Sequence, residues 1–395
     1  MLLNYRRCHE LRDFNGYRRE DGSIGVRNHV IIMNTSGELS SLTKKIASMV
    51  PGVIPVVHQG GNAQFTEDFN QTLQTLKGTA MHPNVSATLL LDMGNEEVSR
   101  EIIKDSHKKG RVVHALSVNS DKTMGEVIEG AKRWLESAVL ESKKEPKVLA
   151  SVTELIVGLE CGGSDSWSGI TANPSIGSFS DMMVNRGGTS VLAETTEAIG
   201  AEHILAKQSI NKHVANQFLS IVARYEKRAK YSGEDVRSAN PSPGNIAGGL
   251  TTLEEKSLGC IKKGGSTPLM EVVEYAHQPS KKGFVFMDTP GYDVESVTGL
   301  AAGGAQIVLF STGKGSPTGS PIVPVIKIGT NQKVYENMSE HIDINAGTII
   351  TENDTINDIG CEIYQKVMST ANGEKVSAES QNHQEFAIWR LAETI

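Results

Sequence analysis

The segment LECGGSDSWSG, near the middle of the chain, places a thiol directly before flexible backbone and polar side chains. Cys161 can act as a nucleophile, as a soft metal ligand or as an inert buried residue. No base stands beside it and no cysteine-protease signature surrounds it, so the nucleophile is the least favoured of the three. The glycines that follow, Gly162 and Gly163, let backbone N–H groups face a ligand. We therefore expect these glycines, with Ser164 and Asp165, to bind a small polar acid.

A second group of possible ligands stands in the segment AETTEAIGAEH. Its glutamates and its histidine combine carboxylate and imidazole donors, a set that suits Fe, Mn or Zn. The alternative is a solvated helix start, because acidic residues are favoured near a helix N-terminus. The residues concerned are Glu194, Glu197, Glu202 and His203.

Two further side chains stand where predicted strands end, a position that often carries function. His58 follows the run VIPVV, and its imidazole can exchange protons near neutral pH. Asp288 follows the apolar run GFVFM and precedes a rigid Thr-Pro-Gly turn, so its carboxylate is placed as a metal ligand or as a base. The alternative for Asp288 is an Asx turn that caps the loop.

Lysines supply the positive charge that an enolate intermediate would need. Lys256 and Lys263 flank Cys260, and either can neutralise an enolate, although a surface position is the alternative for both. The segment TGKGS does not match a phosphate-binding P-loop, which requires GxxxxGK[ST] before a helix. We expect the backbone N–H groups of this loop and its lysine to hold a substrate carboxylate, and a plain turn is the alternative. The residues of that loop are Gly313, Lys314 and Gly315.

Strands and helices alternate regularly in the first third of the chain, which contains His58. Apolar runs predict strands, and apolar residues at helical spacing predict the helices between them. The predicted strands are 26–33, 53–57, 86–92 and 111–116, and the predicted helices are 38–49, 64–77, 96–108 and one that starts near 124. This alternation predicts a Rossmann-like, doubly wound parallel sheet, whose ligand crevice lies beyond the carboxyl ends of its strands.

The chain is expected to divide into unequal parts. We predict an N-terminal extension over 1–15, the Rossmann-like α/β domain over 16–141 and a charged linker over 139–150. A larger α/β catalytic domain with many glycine-rich loops is expected over 150–395, including a long helix at roughly 201–230.

Composition narrows the class of protein. The 395 residues carry a net charge of −7 and no long basic run, which argues against nucleic-acid binding. No apolar run approaches the roughly 18–20 residues needed to span a bilayer, and the first residues do not form a secretory signal. The four cysteines are widely spaced, which argues against a disulfide scaffold or a closed zinc site. We therefore expect a cytoplasmic enzyme that forms a homo-oligomer.

Longer motifs go beyond these generic patterns. The segment NPSPGNIAGGLTTLEEKSLGCIKKGGSTPLMEVVEYA resembles the altronate/galactarate dehydratase family of bacterial sugar-acid enzymes. The matching stretches are 16–30, 157–177, 186–205, 240–276, 283–316, 327–338 and 343–349. The resemblance implies a lyase that depends on a divalent metal and removes water from a sugar acid to give a 2-keto-3-deoxy acid. Fe²⁺ is the metal expected, with Mn²⁺ or Mg²⁺ as alternatives.

We also assign roles to individual residues, and the resemblance supports the positions of the motifs rather than these roles. We expect His58 and Lys256 to act as acid or base, and Asp288 to act as a base or a metal ligand. The other expected metal ligands are Cys161, Glu194 and His203. In the matching stretches, the further residues expected to bind substrate are Thr171, Asn173 and Asn331.

Two departures from the family pattern leave alternatives open. The dehydratases carry cysteines where this chain has Glu38, Asn62 and Asn95. They also begin with a small domain, which we expect here on a separate subunit, as in the sulfolactate sulfo-lyases. The alternatives are therefore a carbon–sulfur lyase large subunit that releases sulfite and pyruvate, or a subunit without catalysis.

Overall fold

The computed structural model describes residues 11–394 apart from 62, 95, 96 and 120. In those residues the chain is mixed α/β, with three sheets. The strands are β1 (Asp13–Arg18), β2 (Ile24–Gly25), β3 (His29–Asn34), β4 (Val53–Val56), β5 (Val85–Asp92), β6 (Val112–Ser117), β7 (Val148–Ser151), β8 (Ile156–Gly162), β9 (Thr189–Leu192), β10 (Leu269–Val273), β11 (Gly283–Met287), β12 (Ile307–Thr312), β13 (Val325–Gly329) and β14 (Ile344–Asn345).

Helices connect most of these strands. They are α1 (Ser40–Met49), α2 (Thr66–Ala80), α3 (Glu97–Lys108), α4 (Met124–Ser142), α5 (Ala172–Asn185), α6 (Glu202–Gln208), α7 (Lys212–Tyr231), α8 (Val236–Ala239), α9 (Pro243–Ala247), α10 (Leu253–Cys260), α11 (Asp293–Ala302), α12 (Gln332–Asn337), α13 (Thr348–Thr351), α14 (Ile356–Ala371) and α15 (Ser377–Ser380). Short 3₁₀ turns occupy Gly37–Leu39, Val152–Glu154, Thr195–Glu197 and Ile261–Gly264.

The first parallel sheet has four strands in the order β4-β3-β5-β6. Its central strands β3 and β5 are almost completely buried because helices cover both faces of the sheet. On β3, Val30 and Ile32 pack with α1 and α4, while Ile31 and Met33 face the larger core that includes residues of α2 and α3. The parallel sheet expected from the alternation of strands and helices is confirmed.

The second parallel sheet has seven strands in the order β10-β11-β9-β8-β12-β13-β14. Strands β9, β11 and β10 lie on one side of β8. The chain then crosses to the other side of β8 and forms β12, β13 and β14 there. Such a reversal leaves a crevice beyond the carboxyl ends of the central strands, where ligands bind in open α/β sheets. Cys161 and Gly162 end β8 at this crevice.

A small antiparallel sheet joins the segments that precede and follow the four-stranded sheet in the chain. Strand β1 pairs with β7 along Asp13–Gly16, and with β2 at its other edge. Of the extension expected over 1–15, residues 1–10 lie outside the described residues, and residues 13–15 belong to β1. The linker predicted over 139–150 is too long, because Val139 is buried on α4, which continues to Ser142, and β7 begins at Val148.

The long helix expected at 201–230 is two helices, α6 and α7. The break follows Gln208, and Asn211 starts the second helix as its N-cap, with its side chain accepting a hydrogen bond from the N–H of Val214. The apolar spacing continued through the break, so the pattern alone did not reveal it. No helix in the described part of the chain is both long enough and apolar enough to cross a bilayer.

Candidate active site

A cavity of about 700 Å³ opens beyond the carboxyl ends of β8 and β9. Helices α7 to α10, the start of α11 and the segment containing Trp389 and Arg390 complete its walls. Several residues predicted from the sequence to carry chemistry line it together: Cys161, Gly162, Gly163, Ser164, Glu194, Glu197, Lys256 and Lys314.

Two buried thiols meet beside this cavity, which Cys161 lines and Cys260 approaches from behind it. The Sγ atoms of Cys161 and Cys260 lie 3.6 Å apart, and Cys260 Sγ lies 3.2 Å from Glu197 Oε2. Donor atoms of these three residues all fall within 4.8 Å of one another. A hydrogen bond from Cys260 lowers the pKa of Cys161 to about 5 against the effect of burial, and Lys263 adds to that lowering. Cys161 is therefore suited to be a thiolate.

Glu194 is held against Cys161 by an unusual backbone. It has φ of 71°, a left-handed conformation that a side chain other than glycine adopts at a cost of about 1–2 kcal/mol. The N–H of Glu194 donates to Thr289 Oγ1 at 2.7 Å, and its Oε2 accepts the N–H of Cys161 at 3.0 Å. Burial, followed by the charge of Cys161, raises the pKa of Glu194 well above its ordinary value.

Two buried lysines balance the negative charge of this cluster. Lys256 Nζ contacts Glu197 Oε1 at 2.8 Å, and Lys263 Nζ lies 3.6 Å from Glu194 Oε2. Burial lowers the pKa of each ammonium, but attraction to the carboxylates and thiols outweighs it, so both pKa values lie above the ordinary one. Both lysines are suited to stay charged and to attract an anion.

Asp293 is a functional candidate that the sequence reasoning missed. It is the first residue of α11 and lines the cavity beside Gly162, where a Cβ would lie only 2.1 Å from Asp293 Oδ2. Burial, and then the charge of Cys161, raises the pKa of Asp293 to about 6. A carboxyl group with that pKa can take up and release a proton near neutral pH. The only signal in the sequence was an acidic residue at a helix start, which usually has a structural reason.

The glycine loops approach each other closely at the cavity. Gly163 adopts φ of 61° and its carbonyl accepts the N–H of Gly313. The next three N–H groups, of Lys314, Gly315 and Ser316, all donate to Thr312 Oγ1 at 2.9–3.2 Å. The loop that was expected to hold a carboxylate through its backbone therefore directs these N–H groups inward. The exposed side chain of Lys314 still reaches the cavity.

Asp165 ties two loops together. Its carboxylate accepts hydrogen bonds from Ser168, from Thr330 Oγ1 and from Asn331 Nδ2. Asn331 is at the same time the N-cap of α12, through the N–H of Val334. These two residues, predicted to bind substrate, are engaged in holding the loops.

Thr171 and Asn173 are likewise bound within the protein. Thr171 Oγ1 donates to the carbonyl of Thr330 at 2.7 Å, and Asn173 joins Ser311 Oγ to the carbonyl of Gly259. Both side chains are fully buried at the start of α5. They fix the loop that follows β8.

Asp288 lies on a neighbouring cavity of about 500 Å³. Its carboxylate forms an ion pair with Arg224 and accepts a hydrogen bond from Thr195 Oγ1 at 2.5 Å. The structure therefore does not bring Asp288 to the cavity of the two thiols, because the side chain points to α7 rather than to the end of β8.

The two predicted histidines are also elsewhere. His203 is exposed on α6 and is not part of the thiol–carboxylate cluster. His58 is buried beyond β4, where its Nδ1 accepts the N–H of Gly60, and burial lowers its pKa to about 4. His58 is suited to be neutral at pH 7.

The first-region positions that differ from the family pattern can be described only in part. Glu38 accepts a hydrogen bond from Ser36 Oγ, which is the largest cause of a lowered pKa. Asn62 and Asn95 lie outside the described residues.

Comparison with protein families covers nearly the whole chain. The model described as "D-galactarate/Altronate dehydratase, C-terminal" matches residues 152–394. The model described as "D-galactarate dehydratase/Altronate hydrolase, second domain" matches residues 16–141. The chain belongs to the galactarate/altronate dehydratase family.

The names of individual relatives are consistent with this family assignment. The chain is 36% identical to an altronate dehydratase of Bacillus subtilis, over 98% of this chain and 79% of the relative. It is 34% identical to a (2R)-sulfolactate sulfo-lyase subunit beta of Chromohalobacter salexigens, over 97% of this chain and 98% of the relative. It is 30% identical to a galactarate dehydratase (L-threo-forming) of Escherichia coli, over 96% of this chain and 77% of the relative. These family relatives are all lyases, and so is this chain.

Proposed function

We propose that this protein removes water from a sugar acid such as altronate or galactarate and forms a 2-keto-3-deoxy acid. The observation that carries the proposal is the character of the large cavity. Six carboxylate residues line it, against three cations. The carboxylates are Glu194, Glu197, Glu234, Asp235, Asp293 and Glu295, and the cations are Lys256, Lys314 and Arg390.

Such a lining suits a chain of hydroxyl groups. A carboxylate accepts hydrogen bonds and has none to donate, so it binds hydroxyl groups well. A sugar acid offers several hydroxyls along its length, whereas sulfolactate has three carbons and a single hydroxyl. A cavity of about 700 Å³ is also large for a three-carbon acid.

The proposal includes a bound divalent metal, and the side chains of Cys161, Cys260 and Glu197 are suited to bind it. The Sγ–Sγ distance of 3.6 Å is close to the value of about 3.8 Å expected when two thiolates bind one tetrahedral ion at about 2.3 Å each. Two thiolates and the carboxylate of Glu197 form a soft to borderline donor set that favours Fe²⁺ over Mg²⁺, which prefers oxygen. We propose Cys161, Cys260 and Glu197 as its ligands. When bound, the ion would supply Lewis-acid stabilisation of the charge that develops on the substrate carboxylate.

Proton transfer falls to the side chains around this cluster. Removal of the proton on Cα requires a base, and departure of hydroxide requires an acid. Asp293 has the pKa and the position for one of these steps. Lys256 stays protonated beside Glu197 and attracts the substrate carboxylate into the deep end of the cavity.

The second candidate is a sulfolactate sulfo-lyase large subunit. The observation that favours it is similarity, because this chain is 34% identical to the sulfo-lyase subunit beta over 97% of its own residues and 98% of that relative. The word "subunit" in that relative's name also supports a multi-subunit enzyme here, with a small second chain as partner.

The test is a direct comparison of substrates. Purified protein is loaded anaerobically with Fe²⁺, Mn²⁺ or Mg²⁺ and incubated with altronate, galactarate or (2R)-sulfolactate, with and without a co-expressed small-domain subunit. The proposal expects 2-keto acid from a sugar acid, highest with Fe²⁺. Sulfite release from sulfolactate without turnover of either sugar acid would establish the second candidate instead, and the Cys161→Ser variant serves as the control for chemistry outside the site.

A further inference from the structure

The segment near the C-terminus connects the two parallel sheets. The carboxylate of Asp68 on α2 accepts the N–H of Leu391 at 2.6 Å and the N–H of Ala392 at 2.9 Å. Gln71, one turn further along the same helix, donates to the carbonyl of Trp389. Both residues on α2 therefore fix the backbone on either side of Arg390, although α2 belongs to the four-stranded sheet.

The ring of Trp389 anchors the segment from the other side. It packs edge-on against Tyr275, with ring centroids 5.6 Å apart, and the guanidinium of Arg228 lies 5.8 Å from its centroid. Tyr275 is itself buried between β10 and α11. The backbone at Arg390 is thus held by both halves of the chain.

The side chain of Arg390, in contrast, is held loosely. Its guanidinium lies 4.0 Å from Asp68 Oδ2 and 3.4 Å from the carbonyl of Ala392, and it lines the large cavity. Its side chain is 37% exposed, whereas Lys256 on the same cavity is only 10% exposed. The cavity therefore has a deep cation and a cation near its mouth.

We propose that Arg390 binds an anionic group at the far end of the substrate and so selects sugar acids that carry a carboxylate at both ends. This inference rests on the proposed function, because it assumes that the reacting carboxylate lies at the deep end near Lys256. Guanidinium groups bind carboxylates through two parallel hydrogen bonds, which a single ammonium cannot reproduce. A substrate with a terminal hydroxyl in place of that carboxylate would leave Arg390 with only its long contacts to Asp68 and Ala392.

The experiment compares two six-carbon acids, galactarate with two carboxylates and altronate with one. We expect the wild-type enzyme to have the higher kcat/KM for galactarate. Arg390→Gln should raise KM for galactarate about 10- to 100-fold and change KM for altronate less than threefold. Arg390→Lys should lie between the two. Asp68→Asn, which loosens the neighbours of Arg390, should shift KM for galactarate in the same direction with kcat preserved.

Arg228→Gln is the matched control, because it removes an arginine that lies over the Trp389 ring but lines the neighbouring cavity, and it should leave the ratio of the two KM values unchanged. The inference is overturned if wild type prefers altronate, if Arg390→Gln affects both acids equally, or if Lys314→Gln rather than Arg390→Gln abolishes the preference. Sulfite release with no turnover of either sugar acid would instead overturn the proposed function. The two failures are therefore distinguishable in one set of assays.

Discussion

The Sγ atoms of Cys161 and Cys260 lie 3.6 Å apart, although 99 residues separate them in the chain. One ends β8 and the other ends α10, so the pair exists only when the helix packs over the end of the strand. The pair is close enough for one ion and too far apart for the bond of about 2.05 Å in a disulfide.

We predict that Cys161→Ser and Cys260→Ser each reduce bound iron at least tenfold, because a hydroxyl is a poorer ligand than a thiolate for this ion. Iron per chain, measured by plasma mass spectrometry after anaerobic loading and desalting, checks this. Cys361→Ser is the control, since Cys361 is a buried thiol on α14 away from the cavity. Full iron occupancy in both single variants would remove the ligand assignment.

We predict that Asp293→Asn has opposite effects on activity and on stability. Its pKa is about 6 in the folded chain against about 3.8 unfolded, so the folded state binds the proton more tightly. Stability from this group is fully present below pH 3.8 and is lost as the pH rises through 6. Asp293→Asn should therefore raise Tm at pH 8 but not at pH 4, while kcat falls at least 100-fold.

The pH profile of the wild-type enzyme provides a second readout for Asp293. If its carboxylate is the base, kcat/KM should rise through pH 6 and then level off; if it is the acid, kcat/KM should fall above pH 6. An inflection near 6 that persists in Asp293→Asn would assign the titration to another group.

The ion pair between Lys256 and Glu197 should be more important for activity than for stability. Both side chains are buried, so Lys256→Met leaves the carboxylate of Glu197 uncompensated and should lower the free energy of unfolding by about 3–5 kcal/mol. The double variant Lys256→Met/Glu197→Gln should recover most of that loss and remain inactive. Urea unfolding monitored by circular dichroism checks the first result, and a keto-acid assay checks the second.

Asp165 should contribute mainly to stability. Asp165→Ala removes the carboxylate that accepts hydrogen bonds from the side chains of Ser168, Thr330 and Asn331. Each buried donor left without an acceptor costs about 1–3 kcal/mol. We expect a fall in the free energy of unfolding of several kcal/mol. Asp121→Asn, at an exposed position, is the control and should change it by less than about 0.5 kcal/mol.

Local patterns in the sequence identified the elements well where burial alone determines them. The run VSATLLLD is buried throughout because both faces of β5 are covered, and the prediction of a strand there is confirmed. Cys161 stands directly before the flexible glycine backbone, as the sequence indicates, and it lies at the end of β8.

The sequence does not show which side chains, distant along the chain, lie together in the fold. In the sequence Cys260 stands out only through its flanking lysines, because nothing in α10 indicates that the helix ends against β8. His203 was grouped with Glu194 by proximity along the chain, but α6 turns that imidazole outward. Asp288 and Asp293 follow the same strand, and only the packing of α11 decides which one reaches the cavity.

The left-handed backbone of Glu194 has a consequence for engineering. A glycine would adopt that conformation at no steric cost, and a neutral side chain would avoid the burial of a carboxyl group next to a thiolate. Selection for heat resistance alone would thus favour variants that have lost this residue, since sites built for chemistry often oppose stability. Thermostable libraries of this enzyme should accordingly be screened for turnover at every round.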